Sequence, residues 1–260
     1  MKIAVSGKGG VGKTLIAGGL AFFFVQKGLK TIAIDADPSP NLALTLGMSP
    51  DEARLIQPIS ENAELIESKT KTGYSGVFRL SFTVDDIIRQ YSIKTPLGPN
   101  LLVMGTVKSM GAGCTCPANA VIRAILRHFV DEQGCAVVVD MEAGVEHMGR
   151  GTAERVDKML IVADAGLKAL ETARHIHHLA SEAGMKRVFL IGNKIGNRVQ
   201  QEAITHFAER NGLKVLGFVP FDPKVAEAEI DGRSPLLDKT SEAVCAIENL
   251  GDKLTSNLIE

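Results

Sequence analysis

The run Gly7-Lys8-Gly9-Gly10-Val11-Gly12-Lys13-Thr14 has the spacing G-x-x-x-x-G-K-T. Glycines at that spacing let successive backbone N–H groups turn inward around an anion. A helix that opens directly after such a loop aims its positive end at the same anion. In this setting Lys13 reaches the β- and γ-phosphates of a nucleotide, and the Thr14 hydroxyl is placed to ligate Mg²⁺. The strand-like run Lys2–Val5 precedes the loop and a helical pattern follows it. Nucleotide binding over Gly9, Gly10, Val11, Gly12, Lys13, Thr14 and Leu15 is therefore the first expectation.

Lys8 is a second lysine inside the loop. With it, Lys-Gly-Gly-Val-Gly-Lys-Thr resembles the deviant Walker A signature of the family that includes MinD, ParA, the arsenite-pump ATPase and the nitrogenase iron protein. The resemblance implies an ATP-dependent homodimer in which Lys8 reaches the partner's nucleotide. A cation from a second chain would neutralise charge on the transferring phosphoryl group only when the two chains close. Leu15 stands where many relatives carry a second threonine, which leaves Thr14 as the Mg²⁺ hydroxyl.

Further segments are similar to the family's other site elements. Asp35-Ala36-Asp37-Pro38, at the end of the second apolar run, looks like switch I. There Asp37 would orient or activate the attacking water and Asp35 would lie near the Mg²⁺. A strand-end turn with a helix cap is the plainer alternative. Asp140-Met141-Glu142-Ala143-Gly144 fits D-x-x-x-G, the form of switch II. Asp140 would hold a Mg²⁺-bound water and Glu142 would be a switch contact or a solvated charge. Gly144 would give the backbone freedom to contact the γ-phosphate and release it. Asn193-Lys194 resembles the base-recognition site, and Pro220-Phe221-Asp222 the segment that frames the base. The expected catalytic set is Lys8, Lys13 and Asp37, and the magnesium set Thr14, Asp35 and Asp140.

Cys114-Thr115-Cys116-Pro117 distinguishes this chain from a generic member of that family. Pro117 suits the first turn of a helix over Ala118–Glu132. The helix dipole there would favour thiolate at Cys116, and thiolate is the form that binds metal. Two such pairs across a two-fold axis supply four sulfurs, enough for tetrahedral Zn²⁺ or square-planar Ni²⁺. A reduced, inert thiol pair is the alternative. Phosphate loop, cysteine pair and the run Asp140-Met141-Glu142-Ala143-Gly144-Val145-Glu146-His147-Met148-Gly149-Arg150-Gly151-Thr152 together resemble CooC-type nickel-insertion ATPases. These serve carbon monoxide dehydrogenase, and close relatives serve acetyl-CoA synthase. The resemblance spans essentially the whole chain. It implies that ATP, Mg²⁺ and a Ni²⁺ or Zn²⁺ ion at the dimer interface are coupled through dimerisation, with the apo nickel enzyme as partner.

Those residues need a scaffold, and the rest of the chain describes one. In 260 residues, 45% are hydrophobic and 23% charged, which suits a globular core. Apolar runs at Lys2–Val5, Thr31–Ile34, Leu101–Met104, Ala136–Val139, Met159–Ala163, Val188–Ile191 and Val215–Val219 alternate with helical patterns such as Leu167–Ala183 and Gln200–Asn211. That alternation predicts an α/β fold, a doubly wound, mostly parallel sheet with helices on both faces and ligands at the strand C-termini. The expectation is a single domain over 1–260 with a helical and loop insertion at about 49–98. A terminal helix is expected over Ser241–Glu260, with Cys135 and Cys245 as small core residues.

Charge and hydropathy narrow the partners. The formal net charge of -1 argues against a nucleic-acid binder. The apolar run Leu15–Val25 is shorter than the roughly 18–20 residues of a membrane span. With no secretory pattern and four cysteines, a cytoplasmic protein is expected. Two other functions remain open at this point. An iron–sulfur carrier or reductase could use two C-x-C pairs, although Asp140 to His147 holds no cysteine of the iron-protein type. A MinD/ParA-like positioning ATPase would need neither cysteine. His147 is a candidate relay or ligand, and His175, His177 and His178 are expected to be surface or packing residues.

Overall fold

The structure, a computed structural model, describes residues 1–70, 90–105, 135–143 and 156–256. Short runs rich in β-branched residues form β1 (Lys2–Gly7), β2 (Thr31–Ala36), β3 (Ile93–Lys94), β4 (Asn100–Val103), β5 (Ala136–Met141), β6 (Lys158–Ala163), β7 (Val188–Ile195) and β8 (Lys214–Pro220). They make one eight-stranded sheet in the order β3-β4-β2-β5-β1-β6-β7-β8. All its pairings are parallel except that of β3 with β4. β5 and β6 are buried at every position, as strands covered on both faces must be.

The helices are α1 (Lys13–Gln26), α2 (Leu42–Thr45), α3 (Pro50–Arg54), α4 (Ala63–Thr70), α5 (Leu167–Glu182), α6 (Arg198–Arg210), α7 (Pro223–Ile230) and α8 (Glu242–Thr255). Helix α1 is apolar nearly all round because it lies between the sheet and α8. Ile16, Leu20 and Phe24 are fully buried, so the long apolar run after the loop is a core helix. Among the described residues no helix is long and apolar enough to cross a membrane.

Several expectations change in detail. β7 extends to Ile195, past the apolar run, through an irregularity between Gly192 and Ile195 in its pairing with β8. Within 49–98, α3 is fixed by a capping box between Ser49 and Glu52, and a 3₁₀ turn (Ile59–Glu61) leads to α4. The same stretch also supplies β3, an antiparallel edge strand. Two residues carry no readable alternation, and only pairing with β4 makes them a strand. The terminal helix ends at Thr255, with Ser241 as its cap. Cys245 is exposed rather than in the core. Helix α8 turns Val244, Ile247, Leu250 and Leu254 inward, and Cys245 falls on the opposite face. Cys135 is buried as expected. The helix expected over Ala118–Glu132 lies outside the described residues.

Candidate nucleotide site

Strand register assembles the site. Asp140 on β5 is the cross-strand partner of both Val5 on β1 and Asp35 on β2. Parallel pairing therefore sets the two carboxylates side by side at the sheet edge where the phosphate loop leaves β1. Gly12 ends the loop with φ 91, in the left-handed region. A Cβ there would also collide with the Asn193 amide nitrogen. Helix α1 then starts with no side-chain cap and no acidic residue in its first turn. Its first N–H groups are left for an anion.

Lys13 is 93% buried by area, 7% exposed, and its Nζ lies 3.6 Å from Asp37 Oδ2. The other Asp37 oxygen accepts from the Ser39 N–H at 2.9 Å. The expected catalytic lysine and aspartate are thus already paired. Lys8, at the loop's tip, is exposed.

The two magnesium candidates have unlike surroundings. Asp35 is fully buried and accepts from the N–H groups of Leu42 at 2.9 Å and Asp37 at 3.2 Å. Burial pushes its carboxyl up to about 6, against the pull of those amides. Asp140 is also fully buried, and neither carboxylate oxygen has a hydrogen-bond partner among the described residues. Burial pushes it up to about 7. The Thr14 hydroxyl and Lys13 favour its charged form, and Asp35 opposes them. Thr14 is near enough to act on the charge yet not aligned as a donor. A buried, unpartnered carboxylate is a costly feature that a bound cation or its water resolves. No three His, Cys, Asp or Glu side chains gather among the described residues. Mg²⁺ needs only one or two carboxylates beside phosphate, so Thr14, Asp35 and Asp140 fit it.

The segment that resembles switch II begins within the described residues and continues outside them. Ser6 Oγ donates to the Glu142 carbonyl at 2.8 Å, tying the end of β1 to the residue after β5. Glu142 itself is exposed. Gly144, Glu146 and His147 lie outside the described residues, as do Cys114 and Cys116.

A cleft of about 330 Å³ joins the loop to the expected base segment. It is lined by Gly10, Gly12, Lys13, Thr14 and Leu15 on one side and by Asn193, Lys194, Pro220, Phe221 and Asp222 on the other. Phe221 is 58% exposed. Asn193 is buried, and its Nδ2 donates to the Val11 carbonyl at 2.7 Å. Lys194 Nζ donates to the Gly10 carbonyl at 2.8 Å. Asp222 accepts from Lys224 N at 3.0 Å and from Ser241 Oγ at 2.6 Å. Its carboxylate therefore holds the starts of α7 and α8 together and shapes the cleft wall.

Val225, Ala226, Glu229 and Ala243 also line this cleft and were missed in the sequence. Ala226 and Glu229 share the i,i+3 face of the helix that Pro223 opens, a signal that was available. Ala243 arrives from α8 through tertiary packing alone. On α5, His175 and His178 are exposed and His177 is half-buried, as expected of surface and packing residues.

A parallel sheet, a phosphate loop opening a buried helix, and two carboxylates on adjacent strand ends define a P-loop nucleotide hydrolase. Residues 2–236 match the model of the CobQ/CobB/MinD/ParA nucleotide binding domain, and the chain belongs to that family. It is 42% identical over 238 residues to the carbon monoxide dehydrogenase accessory protein CooC of Rhodospirillum rubrum, covering 90% of this chain and 89% of that one. It is also 42% identical over 253 residues to an uncharacterised ATP-binding protein of Methanocaldococcus jannaschii, covering 96% of each. Among solved structures, MinD in the MinC:MinD complex of Aquifex aeolicus matches with a TM-score of 0.72 at 20% identity, covering 98% of this chain and 95% of that one. MinD of Pyrococcus horikoshii with Mg-ADP matches at 0.65 and 17% identity, covering 98% and 96%. The chain is an ATPase of the MinD/ParA type.

Proposed function

We propose that the chain is an ATP-dependent metallochaperone. Its single P-loop domain over 1–260 dimerises on ATP and inserts nickel into carbon monoxide dehydrogenase or acetyl-CoA synthase. The observation that carries this reading is the similarity to CooC over 90% of the chain, in a sequence that also holds Cys114-x-Cys116. In the proposed cycle Lys13 and the loop amides hold the β- and γ-phosphates, Asp37 orients the attacking water, and Asn193 with Pro220 and Phe221 borders the base. Mg²⁺ held at Thr14, Asp35 and Asp140 would supply charge neutralisation on the phosphates. Nickel is cargo, gripped by Cys114 and Cys116 of both chains, with Zn²⁺ as a competing occupant of the same thiolates.

Two experiments test it. Anaerobic nickel loading followed by metal analysis should give one ion per dimer in the unmodified chain. Replacing both Cys114 and Cys116 with Ser should eliminate it. Nickel retained at that stoichiometry would place the site elsewhere. Light scattering with and without ATP should report a doubling of mass on nucleotide addition.

Lys8 supplies a third test. Its exposed side chain leaves its own loop unencumbered, as a residue acting on the partner's nucleotide requires. Lys8→Ala should leave ADP affinity within about twofold while hydrolysis falls at least about tenfold, the loss of one charge contact to the transition state. Unchanged turnover would remove Lys8 from the mechanism.

A further inference from the structure

We propose that Asn193 and Lys194 are positioning residues of the phosphate loop, acting as a two-point tether on its consecutive carbonyls. Asn193 Nδ2 donates to Val11 O at 2.7 Å and Lys194 Nζ to Gly10 O at 2.8 Å. Each peptide of the loop has its carbonyl and its N–H on opposite edges. Holding two successive carbonyls against β7 fixes the planes of the peptides that carry the Val11 and Gly12 N–H groups. Of these, the Val11 N–H makes only a long 3.5 Å bond to the Lys8 carbonyl that an anion could displace.

The backbone of β7 is distorted to make this reach possible. Lys194 has φ 58 and is the one non-glycine residue with positive φ among the described residues. That conformation is unfavourable for lysine and persists only where surroundings enforce it. It falls within the irregular stretch of the β7–β8 pairing. A regular strand would send Asn193 and Lys194 to opposite faces of the sheet. Here both side chains reach the same loop. Gly12 completes the fit, since any Cβ at that position would strike the Asn193 amide.

The tether also joins the two ends of the nucleotide. A carbonyl only accepts, so the amide nitrogen of Asn193 must be the atom facing Val11. What this side chain then leaves for the cleft is its Oδ1, an acceptor. An acceptor matches the amino group of adenine and opposes the oxo group of guanine. One side chain thus couples the purine to the phosphate cradle.

This inference rests on ATP binding alone and is independent of the nickel reading. The test compares ADP with AMP, by calorimetry in Mg²⁺, for Lys194→Met and Lys194→Arg. Met keeps the aliphatic stem and removes the donor. ADP affinity should fall about tenfold, the scale of one charged hydrogen bond, while AMP affinity stays within about twofold. Arg, which keeps a long cationic donor, should recover most of the loss. Equal weakening of ADP and AMP would make Lys194 a base contact and overturn the proposal. Unchanged ADP affinity in the Met variant would do the same. Absence of nickel binding in the parallel metal assay would end the metallochaperone reading and leave this result untouched.

Discussion

Lys13→Ala should abolish ATP hydrolysis, with phosphate release at saturating Mg-ATP falling by about a thousandfold or more. The ammonium sits at the first residue of α1, 7% exposed, on the floor of the cleft. A low-dielectric position strengthens its attraction for phosphate well beyond that of a surface lysine. ADP affinity should fall at least about tenfold in the same variant, since the contact serves ground state and transition state alike. The pairing of Lys13 with Asp37 adds a second consequence. Asp37 pairs with the same lysine that a phosphate would engage. A phosphate that engages Lys13 should loosen this pair, leaving Asp37 with the Ser39 N–H. Turnover within tenfold of the unmodified protein would overturn this account of Lys13.

Asp140→Asn should have opposite effects on catalysis and stability. Hydrolysis should be lost, because the carboxylate that would hold the Mg²⁺ or its water is gone. The empty protein should nonetheless become more stable at pH 8. Burial raises Asp140 from 3.8 to about 7, so the folded state binds its proton more tightly than the unfolded chain. That contribution is complete below about pH 4 and disappears as pH rises through about 7. Asp35, raised to about 6, follows the same sign slightly earlier. Without Mg²⁺, the melting temperature of the Asn variant should match the unmodified protein near pH 4. It should exceed it at pH 8, by roughly 1–3 kcal/mol of stability. Mg²⁺ should narrow that gap by stabilising only the carboxylate. A less stable Asn variant at pH 8, or one that still turns over, would contradict the reading.

The loop and both carboxylates were legible from residues 7–14, 35–37 and 140, and the mostly parallel sheet from the apolar runs, whereas the order of its strands was not. Glycine spacing and apolar run length are local properties, and they survive folding unchanged. Other features depended on distant partners. Asn193 and Lys194 stood out as a pair, yet their hold on Val11 and Gly10 comes from sequence separations of 182 and 184 residues. Asp222 looked like part of a base frame. Its carboxylate is committed to capping α7 and to Ser241, which no local pattern announces. Cys245 was misplaced because one small apolar residue fits either face of α8. Asp35 is satisfied by the local Asp37 N–H and by the Leu42 N–H at the start of α2, whereas Asp140 is satisfied by none among the described residues, a difference that only the folded backbone reveals.

The central position of β1 also governs how the molecule comes into being. Its neighbours are β5 and β6, and the Met1 amino group itself donates to the Cys135 carbonyl. On a ribosome the glycine-rich loop emerges well before β5 and β6, which come after it in chain order. The strands that flank it are not synthesised until residue 163 is out. Closing contacts over such distances is slow and leaves an apolar N-terminal segment waiting for shelter. The nascent chain should therefore stay unable to retain ATP until β6 has been made, and Phe23 and Phe24, buried in the finished core, are the residues a chaperone would meet in the interval.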